Sequence, residues 1–134
     1  MSKIISLGRW LFLLSLTLYV FLHFALADFG VKEFVPSYLP FPYVWNYVTG
    51  LCILAFIISG LVGRFDKLAA LLFALYLVLV ILLVHVPDAS TNQQDFQNIF
   101  RGLNMLGATL MYAGAFARDN WLPFVVSAKP AVHQ

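Results

Sequence analysis

Charged residues are scarce in this sequence: Asp, Glu, Lys and Arg make up 10% of its 134 residues, against about 25% in a soluble domain. Hydrophobic residues reach 62%, which is too high for a surface of this size that faces water. The same composition excludes an intrinsically disordered chain. The net charge is only +2 and there is no run of basic residues, which argues against nucleic-acid binding. These absences leave a small integral membrane protein.

Cysteine and catalytic motifs are also sparse. Cys52 is the single cysteine, which excludes an internal disulfide and a CxxC redox pair, and we expect its thiol to pack inside a span. No serine–histidine–acid set, nucleotide-binding loop or metal site is predicted. No acidic or basic residue falls in the middle of a hydrophobic run, which disfavours proton-coupled exporters and ion pumps, because these hold an intramembrane carboxylate.

Four apolar segments are long enough for a helix to cross a bilayer, at about residues 10–27, 44–63, 68–86 and 99–117. Their hydrophobic residues are continuous rather than alternating, which favours helices over strands. The predicted fold is an all-α membrane protein of one domain, a four-transmembrane-helix bundle. Residues 1–9 and 118–134 are its predicted tails.

The distribution of basic residues predicts the orientation of these spans. Six basic residues are predicted to lie on one side of the membrane, namely Lys3, Arg9, Arg64, Lys67, Arg118 and Lys129. The other side receives only Lys32 and Arg101, so both termini are expected in the cytoplasm, with residues 28–43 and 87–98 facing outward. An alternative stays open: residues 25–27, Ala-Leu-Ala, match a signal-peptidase site, and cleavage there would leave three spans.

Small residues predict where the helices pack. Span two carries Ala55, Ser59 and Gly63 at four-residue spacing, a pattern that lets helix backbones approach closely in a membrane. Gly107 and Gly114 would do the same in span four. We expect these residues to pack the helices of one chain, with a homodimer face as the alternative.

The two outward segments differ in character. Pro36, Pro40 and Pro42 are expected to break any helix within residues 28–43, which would fold back at the outer interface. Thr91 and Gln94 fit a capping box, which predicts that helix four starts near Asn92.

Polar side chains gather at the outer ends of the predicted spans. His23 and His85 end spans one and three, and Arg101 is expected to pair with a nearby carboxylate. The candidate pocket residues are His23, His85, Arg101, Asn104, Lys32, Glu33 and Asp88. Three interpretations remain open: a hydrogen-bonded cap for helix ends, a small-molecule pocket such as one for a quinone head group, or haem ligation by the two histidines.

Several short segments carry a family resemblance. They are Gly8-Arg9, Gly30-Val31-Lys32-Glu33-Phe34, Tyr47-Val48-Thr49-Gly50, Arg64 with Leu68-Ala69-Ala70, His85, and residues 96–112. Over residues 8–117 the chain resembles the DoxX-like family of small four-span bacterial membrane proteins. It departs from the family after Gly50, where many relatives carry a glutamate and this chain has Leu51.

The resemblance implies a multi-pass protein of the bacterial inner membrane that acts as an accessory or quinone-linked redox subunit. Its partners would be the lipid bilayer and a redox protein, and quinone ranks ahead of haem as its cofactor. In this hypothesis His23, His85, Arg101 and Asn104 line the pocket, while Lys32 and Glu33 gate it. The alternatives are a non-enzymatic scaffold protein of the envelope and, third, a small-molecule transporter.

Overall fold

A computed structural model describes residues 3–119 of the chain, with side chains from residue 7 onward. The described part is helical and contains no strand. Its helices are α1 Lys3–Ala25, α2 Ala27–Phe34, α3 Pro42–Val62, α4 Asp66–Val80, α5 Val86–Asp88 and α6 Gln93–Ala115, and a π turn, Ile81–His85, joins α4 to α5. The predicted tail from residue 120 on, with Lys129, and the side chain of Lys3 lie outside the described residues.

Three of the described helical segments are long and apolar enough to span a membrane: Leu7–Ala25, Pro42–Val62 and Asp66–Asp88. The all-α class is confirmed, and these segments are those of a membrane protein. The predicted fourth span falls in α6. This helix has 23 residues, which is long enough, but it is not apolar enough to count as a candidate span. The physical reason is that the first three turns of α6 are rich in polar residues, which lower its mean hydropathy.

The exposed surface of α1, α3 and α4 is largely apolar. On α1, Leu11, Leu14 and Leu18 are all more than half exposed. Such side chains are poorly placed in water but well placed against lipid.

Helix packing follows a simple order. The helix α1 packs on α3, α3 on α4, and α4 on α6, while α2 lies against α1 and α3. The core between them includes Leu13, Phe56, Phe73 and Tyr112. The ring of Phe56 stacks on that of Phe73 at 5.2 Å between centroids and meets Tyr112 edge-on at 5.5 Å. Both are favourable aromatic geometries.

The glycines at helix contacts differ from the predicted ones. A Cβ on Gly60 would lie 2.8 Å from Leu13, and one on Gly102 would lie 2.7 Å from Ile81. The predicted Gly107 and Gly114 are exposed, and a Cβ on either would meet no atom of the described chain within 4 Å. Sequence spacing identified small residues, but helix rotation decides which of them face a neighbour.

The predicted ladder in span two also has a different arrangement. Ala55 is exposed and, with the exposed Cys52, lines a small apolar groove of about 180 Å³ between α3 and α4. Ser59 is half-buried. Gly63 ends α3 with φ of 75°, a left-handed conformation that favours glycine. It terminates the helix and is also tightly packed, because a Cβ there would lie 2.7 Å from Cδ of Arg118.

The connecting segments differ from the predicted structure in two details. A helix, α2, begins at Ala27, occupies the first part of residues 28–43 and ends before Pro36. Pro42 occupies the first turn of α3, where proline is well tolerated. The start of α6 agrees with the prediction, but its cap is Asn92, whose Oδ1 accepts from the Gln94 amide at 2.9 Å. Thr91 instead donates to the carbonyl of Asp88 at 3.2 Å.

Candidate functional site

A cavity of about 350 Å³ lies between α1 and α2 on one side and α4, the π turn and α6 on the other. Its volume falls within the range of small-molecule sites, about 300–1,000 Å³. Apolar side chains such as Leu18, Phe73 and Leu77 form much of its wall. Its polar lining residues are His23, Glu33, His85, Gln94, Asn98 and Arg101, together with the tyrosines Tyr19 and Tyr76. We call the end of the helices that carries His23 and His85 the histidine end.

His23 is held by a pair of hydrogen bonds to Asn46 of α3. Its Nδ1 lies 2.7 Å from Oδ1 of Asn46, and Nδ2 of Asn46 donates to the backbone carbonyl of His23 at 2.7 Å. Asn46 is completely buried and His23 is 4% exposed. The two bonds fix both the position of the imidazole and the orientation of the amide.

Two glycines allow this arrangement. A Cβ on Gly50 would lie 2.9 Å from Cβ of His23 and 2.8 Å from the ring of Phe24, so α1 and α3 meet closely at this point. A Cβ on Gly30 would lie 2.5 Å from Oδ1 of Asn46. Because neither glycine has a side chain, Asn46 fits among α1, α2 and α3.

His85 is also held at Nδ1, by a single contact to a carboxylate. Its Nδ1 lies 2.8 Å from Oδ1 of Asp95 in the first turn of α6. The side chains are 10% and 17% exposed, respectively. The carboxylate therefore anchors the second imidazole across the gap between the π turn and α6.

The π turn that presents His85 has an identifiable cause. Pro87 lacks an N–H, so the carbonyl of Leu83, four residues earlier, cannot receive its usual helical hydrogen bond. That carbonyl accepts from the hydroxyl of Tyr38 at 3.0 Å. The wide turn Ile81–His85 accommodates the proline, and such turns occur often at functional sites.

A neutral imidazole carries one N–H, and in both histidines the partner assigns it to Nδ1. The carboxylate of Asp95 can only accept when ionised, and Oδ1 of Asn46 must accept because its Nδ2 already donates. Within the described residues, Nε2 of His23 and Nε2 of His85 have no hydrogen-bond partner. The cavity is thus lined by two oriented imidazoles whose second nitrogen is free for a ligand.

The structure brings together some of the candidate pocket residues and not others. His23, His85, Arg101 and Glu33 all line the cavity. Among the described residues, the lining does not include Asn104, Lys32 or Asp88, which are exposed.

Arg101 has a different partner from the expected carboxylate. Its Nη1 donates to Oδ1 of Asn98, one turn earlier on α6, at 3.2 Å. Both side chains line the cavity, so the arginine presents its charge there without an ion pair in the described part of the chain.

Sequence reasoning missed Asn46 and Asp95, the two side chains that orient the histidines. Asn46 had a detectable signal, because it is a single amide in the first turns of an otherwise apolar span. Asp95 stood within the predicted outward segment 87–98, where nothing distinguished it from Asp88. The packing of the π turn against α6 places Asp95 beside His85.

A second polar cluster lies at the opposite end of the helices, which we call the arginine end. Arg9 is buried and its Nη2 donates to the carbonyl of Gly60 at 2.7 Å. The buried Asp66 accepts from the hydroxyl of Tyr112 at 3.2 Å, and from the backbone amides of Arg118 at 2.8 Å and of Asp119 at 2.9 Å. This cluster joins α4 to the end of α6 and to the residues that follow it.

Comparison of the chain with protein-family profiles, with curated proteins and with solved structures gives no match. The cavity and its two anchored histidines are the features of this chain from which a function can be argued.

Proposed function

We propose that this chain is a four-span protein of the bacterial inner membrane, a quinone-linked or accessory redox subunit whose cavity at the histidine end binds a quinone head group. Both termini lie in the cytoplasm, so the cavity belongs to the outer leaflet. The resemblance to the DoxX-like family supports the same assignment. The observation that carries the proposal is the pair of anchored imidazoles in one cavity of suitable size.

The two faces of α6 support its role as the fourth span. Gln94, Asn98 and Arg101 share one face at helical spacing and line the cavity. Phe100 and Leu103 lie on another part of the helix surface and are about half exposed, at 54% and 49%. Polar residues that enter membranes face the interior of the protein, while apolar ones face lipid. Three of the polar residues that lower the hydropathy of α6 thus belong to the cavity, whereas Gln97 and Asn104 are exposed outside its lining.

The cavity has a route to the surrounding lipid. Although α1 and α6 both line it, they are not among the helix pairs that pack closely in the described chain. Leu18 of α1 lines the cavity and is also 60% exposed, so it borders both the cavity and the outer surface. A head group in the cavity could therefore keep its apolar tail in the bilayer.

Two hydrogen-bonding imidazoles suit a planar head group that carries two oxygens. Each ring is held at Nδ1 and keeps Nε2 without a partner in the described chain, which is a preorganised arrangement for a ligand. The apolar wall that includes Phe73 and Leu77 provides a surface for the ring.

Bound quinone can be measured directly. The full chain is purified in mild detergent, its lipids are extracted with organic solvent, and quinones are quantified by chromatography. We expect a quinone to be retained by the wild type and largely lost in His85→Phe. Asn104→Leu, which changes an exposed residue outside the cavity lining, is the control and should retain it. Equal recovery from all three proteins, or none from the wild type, contradicts the proposal.

The same geometry favours haem as a second candidate. Histidines that ligate a metal commonly donate their other ring N–H to a carboxylate or carbonyl group, as His85 does to Asp95. A reduced-minus-oxidised absorption spectrum of the purified protein distinguishes the two. A Soret shift would identify haem as the bound group and indicate an electron-transfer role. A flat spectrum would exclude haem, and quinone would remain the proposed ligand. A protein with neither ligand would be the scaffold of the envelope.

A further inference from the structure

We infer that the cavity recognises the reduced form of its ligand, a dihydroxy head group such as a quinol, in preference to the oxidised dicarbonyl form. This inference rests on the proposed function and specifies which redox form the site selects. It is carried by the direction of the hydrogen bonds that hold His23 and His85.

The direction at His85 follows from the chemistry of its partner. An ionised carboxylate has no hydrogen to donate, so the contact of 2.8 Å between Nδ1 and Asp95 requires the hydrogen on Nδ1. In the neutral ring, Nε2 is then an acceptor. Asp95 acts as a positioning residue, since it touches the imidazole and is not among the lining residues of the cavity.

The direction at His23 follows from the second hydrogen bond of Asn46. The backbone carbonyl of His23 can only accept, so the Asn46 atom 2.7 Å from it must be the amide nitrogen. The atom that faces Nδ1 is therefore the amide oxygen, which accepts. Nε2 of His23 is, like that of His85, an acceptor in the neutral ring.

Two acceptors require two donors. A quinol carries two O–H groups and can donate one to each Nε2, whereas the carbonyl oxygens of a quinone would set lone pair against lone pair. Glu33 adds a further acceptor to the cavity lining. The side chains there that can donate are the guanidinium of Arg101, the amides of Gln94 and Asn98 and the hydroxyls of Tyr19 and Tyr76, and Arg101 already donates to Asn98. The imidazoles of His23 and His85, which are the most firmly positioned groups, thus favour the reduced form of the ligand.

The preference is measured with short-tailed probes, decylubiquinol and decylubiquinone, on the full chain in lipid nanodiscs under anaerobic conditions. We expect the wild type to bind the quinol about tenfold more tightly, the effect of roughly one net hydrogen bond. Tenfold tighter binding of the reduced form would raise the midpoint potential of the bound couple by about 30 mV.

Substitutions of Asp95 test the cause of the preference. Asp95→Leu frees Nδ1, so the hydrogen can move to Nε2 and the ratio of the two dissociation constants should fall towards one. Asp95→Glu keeps a carboxylate acceptor and should retain most of the preference. Gln97→Leu changes an exposed residue on the same helix, outside the cavity lining, and should leave the ratio unchanged.

The outcomes separate this inference from the proposed function. If the wild type binds both probes with equal affinity, or binds the quinone more tightly, the inference is overturned while the quinone site stands. If Asp95→Leu keeps the full preference, the assigned direction of the hydrogen bond is wrong. If neither probe binds, both the inference and the proposed function fail.

Discussion

His23 and Asn46 hold each other at two points: the imidazole Nδ1 bonds to the amide oxygen, and the amide nitrogen bonds to the histidine's own carbonyl, each at 2.7 Å. The pair joins α1 to α3 inside an apolar region. The side chain of Asn46 therefore has two roles. It stabilises the contact between α1 and α3, and it orients the His23 ring that lines the cavity. Structure and proposed function are therefore coupled at this residue.

Replacement of Asn46 should consequently be costly. Asn46→Leu keeps the approximate size of the side chain but leaves Nδ1 of His23 without its buried partner. We expect the free energy of unfolding to fall by about 1–3 kcal/mol. The measurement is an SDS-unfolding titration in mixed micelles, with Asn104→Leu as the matched control at an exposed position. A similar loss in both variants would mean that the buried pair contributes little to stability.

Gly50 should tolerate no side chain, in contrast to Gly107. The Cβ of Gly50→Ala would lie 2.8 Å from the ring of Phe24 and 2.9 Å from Cβ of His23, and we expect a loss of about 1–3 kcal/mol from overpacking. Gly107→Ala meets no atom of the described chain within 4 Å. There the higher helix propensity of alanine should leave stability unchanged or raise it by up to about 1 kcal/mol. Melting temperatures in detergent check both, and a Gly50→Ala protein as stable as wild type contradicts the close contact.

The arginine end offers a stability test that is independent of the cavity. Asp66 accepts three hydrogen bonds, from the hydroxyl of Tyr112 and from two backbone amides. Asp66→Asn replaces one acceptor oxygen with an NH₂ group, which sets donor against donor and should cost about 1–3 kcal/mol. Asp88→Asn, at an exposed position, is the control. Quinone retention should persist in the Asp66→Asn protein that remains folded, because this residue is outside the cavity lining.

The orientation of the chain is tested by cysteine labelling. In a Cys52→Ala background, Thr91→Cys places a thiol in the exposed turn before α6, at the histidine end. A membrane-impermeant maleimide should label it from the periplasmic side of spheroplasts. Arg64→Cys, in the exposed turn between α3 and α4, should be labelled only after the membrane is opened. The reverse pattern would place the histidine cavity in the cytoplasmic leaflet.

Part of the candidate site could be predicted from the sequence. His23 and His85 stood out because each ends a long apolar run, and the structure places both in one cavity. Asn104 was grouped with Arg101 because the two are three residues apart on one helix, yet only Arg101 lines the cavity. A helix face defined by spacing is broad, and the exact rotation of α6 against α4 decides which of its polar side chains turn inward.

The sequence by itself determined that this chain forms long apolar helices, because a backbone that has no water to bond with must satisfy its hydrogen bonds internally. It also determined that α3 ends at Gly63 and that α6 starts near Asn92, since these residues act through local backbone geometry. Only the tertiary structure decided that Asn46 and Asp95 orient the two histidines. Such partnerships join residues from different helices, so they depend on how closely and at what rotation the helices pack.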